Sequence, residues 1–346
     1  MLQQFLKLGT LMALENDQLL LGLGKRTWSD KIEDNSQPAF YFPDFFLDDA
    51  KPWFQHEQCL KISLSSLLQE FQELQKKTSL KWNSPSREIF EWGFHSLQEK
   101  LSNGELVKGV PYVFETSSEK MDQARLRESL LSLLRFATKH PIIPYGFWDE
   151  TQGILGASPE LLFRLKKSNL LQTMACAGTL GHHESVESFM NDPKERHEHE
   201  CVVQGITESL APFGQVNIGK IKVLDLGNLT HLVTPIDLTL SSYPDYGSLV
   251  EALHPTPALG TLPKKAGIPW LKDYEAKLHR KRYGAPVGVV KPDDAHFYVG
   301  IRNIQWDENG IAIGAGCGVN SQSEFDREWN EIKRKIRAIK EVLSIG

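Results

Sequence analysis

Phe325, Trp329, Ile332, Ile336 and Ile339 recur at steps of four and three, one apolar stripe of an amphipathic helix. Ser321 and Glu324 fit a capping box, which predicts a helix start near there. Glu328, Glu331 and Lys335 stand three and four residues apart and form a second row beside the stripe. The glycine-rich stretch 311-IAIGAGCGVN-320 runs straight into this helix. The acidic row is either a solvated face with one ion pair or the floor of a cleft.

The same periodicity predicts helices over 60–77, 87–102 (Ile89, Phe90, Trp92, Leu97, Leu101) and 122–139. Asn103-Gly104 marks the end of the second. In 191–210, Asp192 fits the N-cap and Pro193 the first helical position. Glu195 and Glu198 then share a face, and Val202 and Val203 begin its buried part. Strand patterns occupy 39–46, broken at Pro43, then 105–115, the hairpin 143–165 with its turn near 149–153, and 170–180. Further strands are expected at 229–238, 280–290 and 296–306. Residues 1–80 carry no chemical motif and read as a scaffold integrated with a core over 81–346. Without internal repeats or low-complexity linkers, the elements are expected to interweave.

With 346 residues the chain can bury a large core. A net charge of −5, with no basic stripe interleaved with aromatics, argues against nucleic-acid binding. Cys59, Cys176, Cys201 and Cys317 lack metal-ligand spacing, a pattern suited to a reducing compartment. The apolar N-terminus is interrupted by Glu15 and Asp17 and lacks a basic flank, and no run reaches a membrane span. A soluble, cytoplasmic protein is expected.

Candidate chemistry is dispersed along the chain. Lys108 lies in an apolar segment, either as an edge-strand lysine reaching water or as a desolvated lysine able to act as a base. Pro159 fixes the backbone just before Glu160, presenting that carboxylate between two apolar runs; a buried acid there is paired or functional. His182-His183 has no third ligand at a standard spacing, and His197-Glu198-His199 lacks the histidine spacing of a zincin. Two acids on each of two helices point instead to a hard cation of the Mg²⁺ type. Arg302, expected inside a strand, needs an anion as partner.

Taken in order, GASPELL, ACAGT, DPKERHEHECVV, THLVTP, LHPTPALGTLPK, RYGAPVG, GIRN, GAGCGVNS and EWNEIKRK make the chain resemble the chorismate-utilising enzymes over roughly 85–346. This group holds isochorismate synthase, salicylate synthase and the large subunits of anthranilate and aminodeoxychorismate synthases. The resemblance implies an α+β chorismate-binding fold, with antiparallel sheets and helices around a central cleft. It also implies that Glu198 and Glu331 hold Mg²⁺, with Glu195 and Glu328 in support, and that the ion holds the ring carboxylate. Arg302 and the backbone N–H groups of 314–318, Gly316 among them, would clamp the enolpyruvyl carboxylate. Tyr283 and Lys335 would be further contacts, with His231 and Thr179 lining the ring. Glu160 matches the general acid and Lys108 the base of the water-using branch.

That lysine, and Ala177 where aminodeoxychorismate synthases carry lysine, favour conversion of chorismate to isochorismate: water attacks C2 and the C4 hydroxyl leaves. Such an enzyme would serve menaquinone or siderophore synthesis. A salicylate synthase, an aminating synthase with a glutaminase subunit, and a silent chorismate-binding relative are the alternatives. The chain departs from the family pattern at Val113, where arginine is expected, at Lys281 in place of glycine, and in the order Gly284-Ala285.

Overall fold

A computed structural model describes residues 1–71, 79–166, 168–180 and 185–346. His182, His183 and the later part of the expected 60–77 helix lie outside these residues; of its described part, 60–63 end the strand Trp53–Ser63 and only Leu64–Glu70 is helical.

Among the described residues, sixteen strands form one antiparallel sheet, long enough to contain two working halves. One half orders the strands Gly214–Ile218, Thr230–Leu240, Leu170–Leu180, Leu161–Lys166, Asp294–Val299 and Pro286–Val290. The other orders Ile143–Trp148, Gly153–Ser158, Asn303–Asp307, Gly310–Gly316 and Tyr112–Ser117. Strands Ala39–Tyr41, Trp53–Ser63, Gln18–Ser29 and Gly9–Ala13 link the halves in that order. Met12, Phe40, Phe42, Phe54, Tyr145, Phe147, Val287, Val289 and Tyr298 make an aromatic-rich core shared by strands of both halves. Val287 and Val289 are buried in it while Val290, on the opposite pleat, belongs to a second core under the helices Pro193–Leu210 and Tyr246–Leu253.

Two breaks carry the chain from one half to the other. Strand Gly153–Ser158 lies in the second half and Leu161–Lys166 in the first, so Pro159-Glu160 is a crossover. The expected single strand over 296–306 is likewise two strands, Asp294–Val299 and Asn303–Asp307, in different halves. Arg302 therefore lies outside a strand. It occupies the turn between them with φ +55°, left-handed backbone that a β-branched or bulky residue seldom adopts. The crossovers are bonded to each other: Ser158 Oγ donates to the Val299 carbonyl (2.7 Å), Val299 N–H to Glu160 O (3.1 Å) and Ala157 N–H to Arg302 O (3.1 Å).

The C-terminal helix spans Phe325–Leu343. Its stripe is buried as the pattern requires: Trp329, Ile332, Ile336 and Ile339 join the largest core, and Phe325 packs against it. The capping box does not form. Glu324 is the N-cap and makes no side-chain bond, because residues 320–323 close their own turn. Asn320 Oδ1 accepts Gln322 N–H (2.9 Å), and Ser323 Oγ accepts Asn320 N–H (3.2 Å). The expected helices at 87–102 and 191–210 form as Arg87–Ser102 and Pro193–Leu210, capped by Ser86 and Asp192. That at 122–139 forms as Gln123–Ala137, with Asp122 as N-cap. The 105–115 segment splits into Lys108–Gly109, paired with Thr261–Leu262, and Tyr112–Ser117.

Ile332→Ala should lower stability by about 2–5 kcal/mol, read as a lower urea midpoint, because a fully buried side chain leaves a cavity in the core. An unchanged midpoint would mean that this stripe is not docked.

Candidate functional site

The two crossovers and two helices, Pro193–Leu210 and Phe325–Leu343, surround a small pocket of about 60 Å³. Glu160 and Arg302 enter from the crossovers, Thr179 and His231 from paired strands, Glu198 from the Pro193 helix, and Lys335 from the C-terminal helix. Tyr283, Gly314 and Gly316 close another wall, with Cys176, Ala177, Leu259 and Ile301 supplying apolar surface.

Glu160 is 2% exposed, and among the described residues its carboxyl accepts one hydrogen bond, from Thr256 Oγ1 to Oε1 (3.2 Å). Burial pushes its pKa up to about 7, against the opposing pull of the Thr256 bond and of Lys108, Arg302 and Lys335. A carboxyl so placed holds a transferable proton near neutrality.

His231 bridges two other candidates. Its Nδ1 lies 2.7 Å from the Gly178 carbonyl and 3.3 Å from Thr179 Oγ1, while Nε2 lies 2.8 Å from Arg302 Nη2. A carbonyl only accepts and a guanidinium only donates, so the ring is the neutral Nδ1–H tautomer. Burial and the Arg302 charge hold its pKa down at about 3. Arg302 Nε has no hydrogen-bond partner among the described residues, leaving donor capacity at the pocket wall.

Lys108 is 0% exposed, which removes the reading as an edge lysine reaching water. Its Nζ lies 3.1 Å from Glu198 Oε1 and donates to the Pro257 carbonyl at 3.0 Å. Gly318 makes this pair possible: a Cβ there would come within 2.0 Å of Glu198 Oε1 and 2.6 Å of Lys108 Cε. Gly314 serves the Tyr283 ring in the same way, since a Cβ would meet it at 2.6 Å. The glycines 314–316 end a strand rather than form a turn, and the N–H groups of Cys317 and Val319 are taken by the carbonyls of Pro111 and Gly109. Of the clamp expected over 314–318, the Cys317 N–H is thus already committed. Gly316 contributes its carbonyl, which accepts from Lys335 Nζ at 2.8 Å.

Glu195, Glu198, Glu328 and Glu331 are all buried and converge from two helices, so the acidic row is not a solvated face. Sequence reasoning missed what lies among them. Lys194, 5% exposed, places Nζ 3.3 Å from Glu195 Oε1, 3.2 Å from Glu198 Oε2 and 3.1 Å from Glu328 Oε1. Its signal was present: Lys194 precedes Glu195 directly and is four residues from Glu198, an ion-pair spacing on a helix. Glu331 pairs with Lys335 at 2.6 Å, and Arg327 reaches Glu195 from the rim at 3.1 Å. Burial would raise the pKa of Glu198, but Lys108 and Lys194 outweigh it and bring it down to about 2. Lys335 likewise outweighs burial at Glu331. Glu195 and Glu328 shift upward, first from burial and next from the charges of Glu198 and Glu331 respectively.

As donors these carboxylates suit a hard cation. Glu328, 0% exposed, gives an orphaned oxygen: Oε2 has no partner among the described residues, and Oε1 meets the Lys194 ammonium. The donor set therefore fits a divalent ion. Among the described residues, however, no three His, Cys, Asp or Glu side chains already form a metal cage. The oxygens are spread around an ammonium instead.

The chain is similar to known proteins. The chain is 33% identical over 204 residues to the salicylate biosynthesis isochorismate synthase of Pseudomonas aeruginosa, covering 55% of this chain and 42% of that protein. It is 31% identical over 267 residues to isochorismate synthase MenF of Pasteurella multocida, covering 73% and 60%. The chain thus spans about half the length of these curated relatives. The solved MenF, the menaquinone-specific isochorismate synthase from Escherichia coli, superposes with a TM-score of 0.77 at 19% identity, over 97% of this chain and 88% of that one. A fold likeness at that identity fits the mixed sheet-and-helix architecture described above. Residues 49–344 match the model of the family described as chorismate binding enzyme, and the chain belongs to that family.

Proposed function

We propose that the chain converts chorismate to isochorismate in a Mg²⁺-dependent reaction. The observation that carries this reading is Glu160, a buried carboxyl titrating near neutrality at the wall of a pocket that also holds Arg302 and Lys335. Chorismate bears two carboxylates, and a pocket with two cations beside a proton donor suits a dianion that must lose a hydroxyl.

In this reading Arg302, oriented by His231, holds the enolpyruvyl carboxylate with its uncommitted donors. Thr179 and His231 face the ring, and Tyr283 and Lys335 complete the enclosure. Glu198 and Glu331, assisted by Glu195 and Glu328, would hold Mg²⁺, which when bound supplies positive charge for the ring carboxylate. Glu160 gives its proton to the C4 hydroxyl, which departs as water. To take a proton from the water that adds at C2, Lys108 has to be neutral, which its ion pair with Glu198 opposes until that carboxylate is engaged elsewhere; one hydroxyl then replaces another and no net proton is consumed. The names of the relatives that include isochorismate synthases support this branch.

Incubating the purified chain with chorismate and Mg²⁺, with and without ammonium, tests the reading. Isochorismate should form without ammonium and disappear with a chelator. An amino-product formed only with ammonium, or no turnover at all, would overturn it.

Glu160→Gln should lower kcat by about 10²–10⁴-fold while chorismate affinity stays within about threefold, because the amide fills the same space without a transferable proton. Retention of most activity would remove Glu160 from the acid role. The pH dependence follows from the same group. An acid with a pKa of about 7 is protonated below that value, so kcat/KM should be maintained below it and fall as pH rises above it. A profile without an alkaline decline near that pH would count against the assignment.

A further inference from the structure

We propose that Lys194 is a resident counterion of the carboxylate cluster, which a divalent ion must displace to bind. The proposal rests on the Mg²⁺ reading above and concerns how this chain controls that ion.

One ammonium stands among carboxylates contributed by two helices. Its N–H groups point toward Glu195 at 3.3 Å, Glu198 at 3.2 Å and Glu328 at 3.1 Å, each through one oxygen. Three carboxylate oxygens within 3.3 Å offset the cost of burying a charge at this position. The other cations have other places: Lys108 pairs with Glu198 Oε1, Lys335 with Glu331, and Arg327 with Glu195 and Asp192 at the rim. Lys194 alone among them spans both helices through three glutamates.

A magnesium ion draws carboxylate oxygens to about 2.0–2.1 Å, whereas the ammonium holds them about 1 Å farther out. A divalent ion held by these carboxylates would compete with the ammonium for them, and the two cations would repel each other. Glu328 records the cost of the arrangement, since its Oε2 is buried with no partner among the described residues. The ammonium therefore keeps the metal-free cluster folded and weakens divalent binding. Backbone geometry fixes it there: Asp192 caps the helix, Pro193 takes the first position, and Lys194 follows within the first turn.

The test is calorimetric titration of MgCl₂ alone into the wild-type chain and Lys194→Met at pH 8, without substrate. The variant should bind Mg²⁺ about tenfold more tightly, because a like charge beside the ion is gone. Its melting temperature should be lower than wild type without the ion and should gain more on adding it. If Lys194→Met folds only when Mg²⁺ is present, the ion has taken over from the ammonium, and the proposal stands. Binding unchanged or weaker than wild type, or failure to fold even with Mg²⁺, would overturn the counterion role while leaving wild-type Mg²⁺ binding as a result in its own right. Absence of Mg²⁺ binding by both proteins would instead overturn the metal reading on which the role depends.

Discussion

The site depends on a constraint of connectivity. One sheet is too long to enclose a core as a single layer, so the chain has to pass between its two halves. It does so at Pro159-Glu160 and again at Gly300–Arg302, and hydrogen bonds between Ser158, Val299, Ala157 and Arg302 tie these passages together. Strand interiors spend their backbone groups on ladders and point side chains into cores. At a crossover the pleat is interrupted, and side chains are released into the gap between the halves. That is why an acid and an arginine distant in the chain meet the same pocket.

Around this seam the charges are nearly balanced in place. Glu195, Glu198, Glu328 and Glu331 face Lys108, Lys194 and Lys335, with Arg327 at the rim. Removing one member of such a set leaves an uncompensated buried charge, which is far more costly than the pair is stabilising. The cluster is thus poised to exchange one cation for another rather than to lose one. Glu198 stands at its centre, shared by Lys108 and Lys194, so the proposed base and the proposed metal site are not independent. Glu160 is separate in kind. Among the described residues it is buried without an ion-pair partner, and burial raises its pKa.

The sequence by itself determined the elements with strong local signals. Stripes of apolar residues marked the helices, Asp192-Pro193 and Asn103-Gly104 marked two helix ends, and the ordered motifs marked the family. These signals act within a few residues, where one-dimensional spacing and three-dimensional proximity coincide. The capping box at Ser321 and the strand through Arg302 misled because each local pattern met a competitor: an Asn320 turn in one case, a change of sheet half in the other. Only the tertiary structure decided that Lys108 is sealed from water against Glu198, that His231 holds Arg302, and that Lys194 lies among glutamates from two helices. Those facts depend on contacts between residues far apart in the chain, including 194 with 328 and 231 with 302. Local periodicity carries no information about such pairs; the packing of the seam creates them.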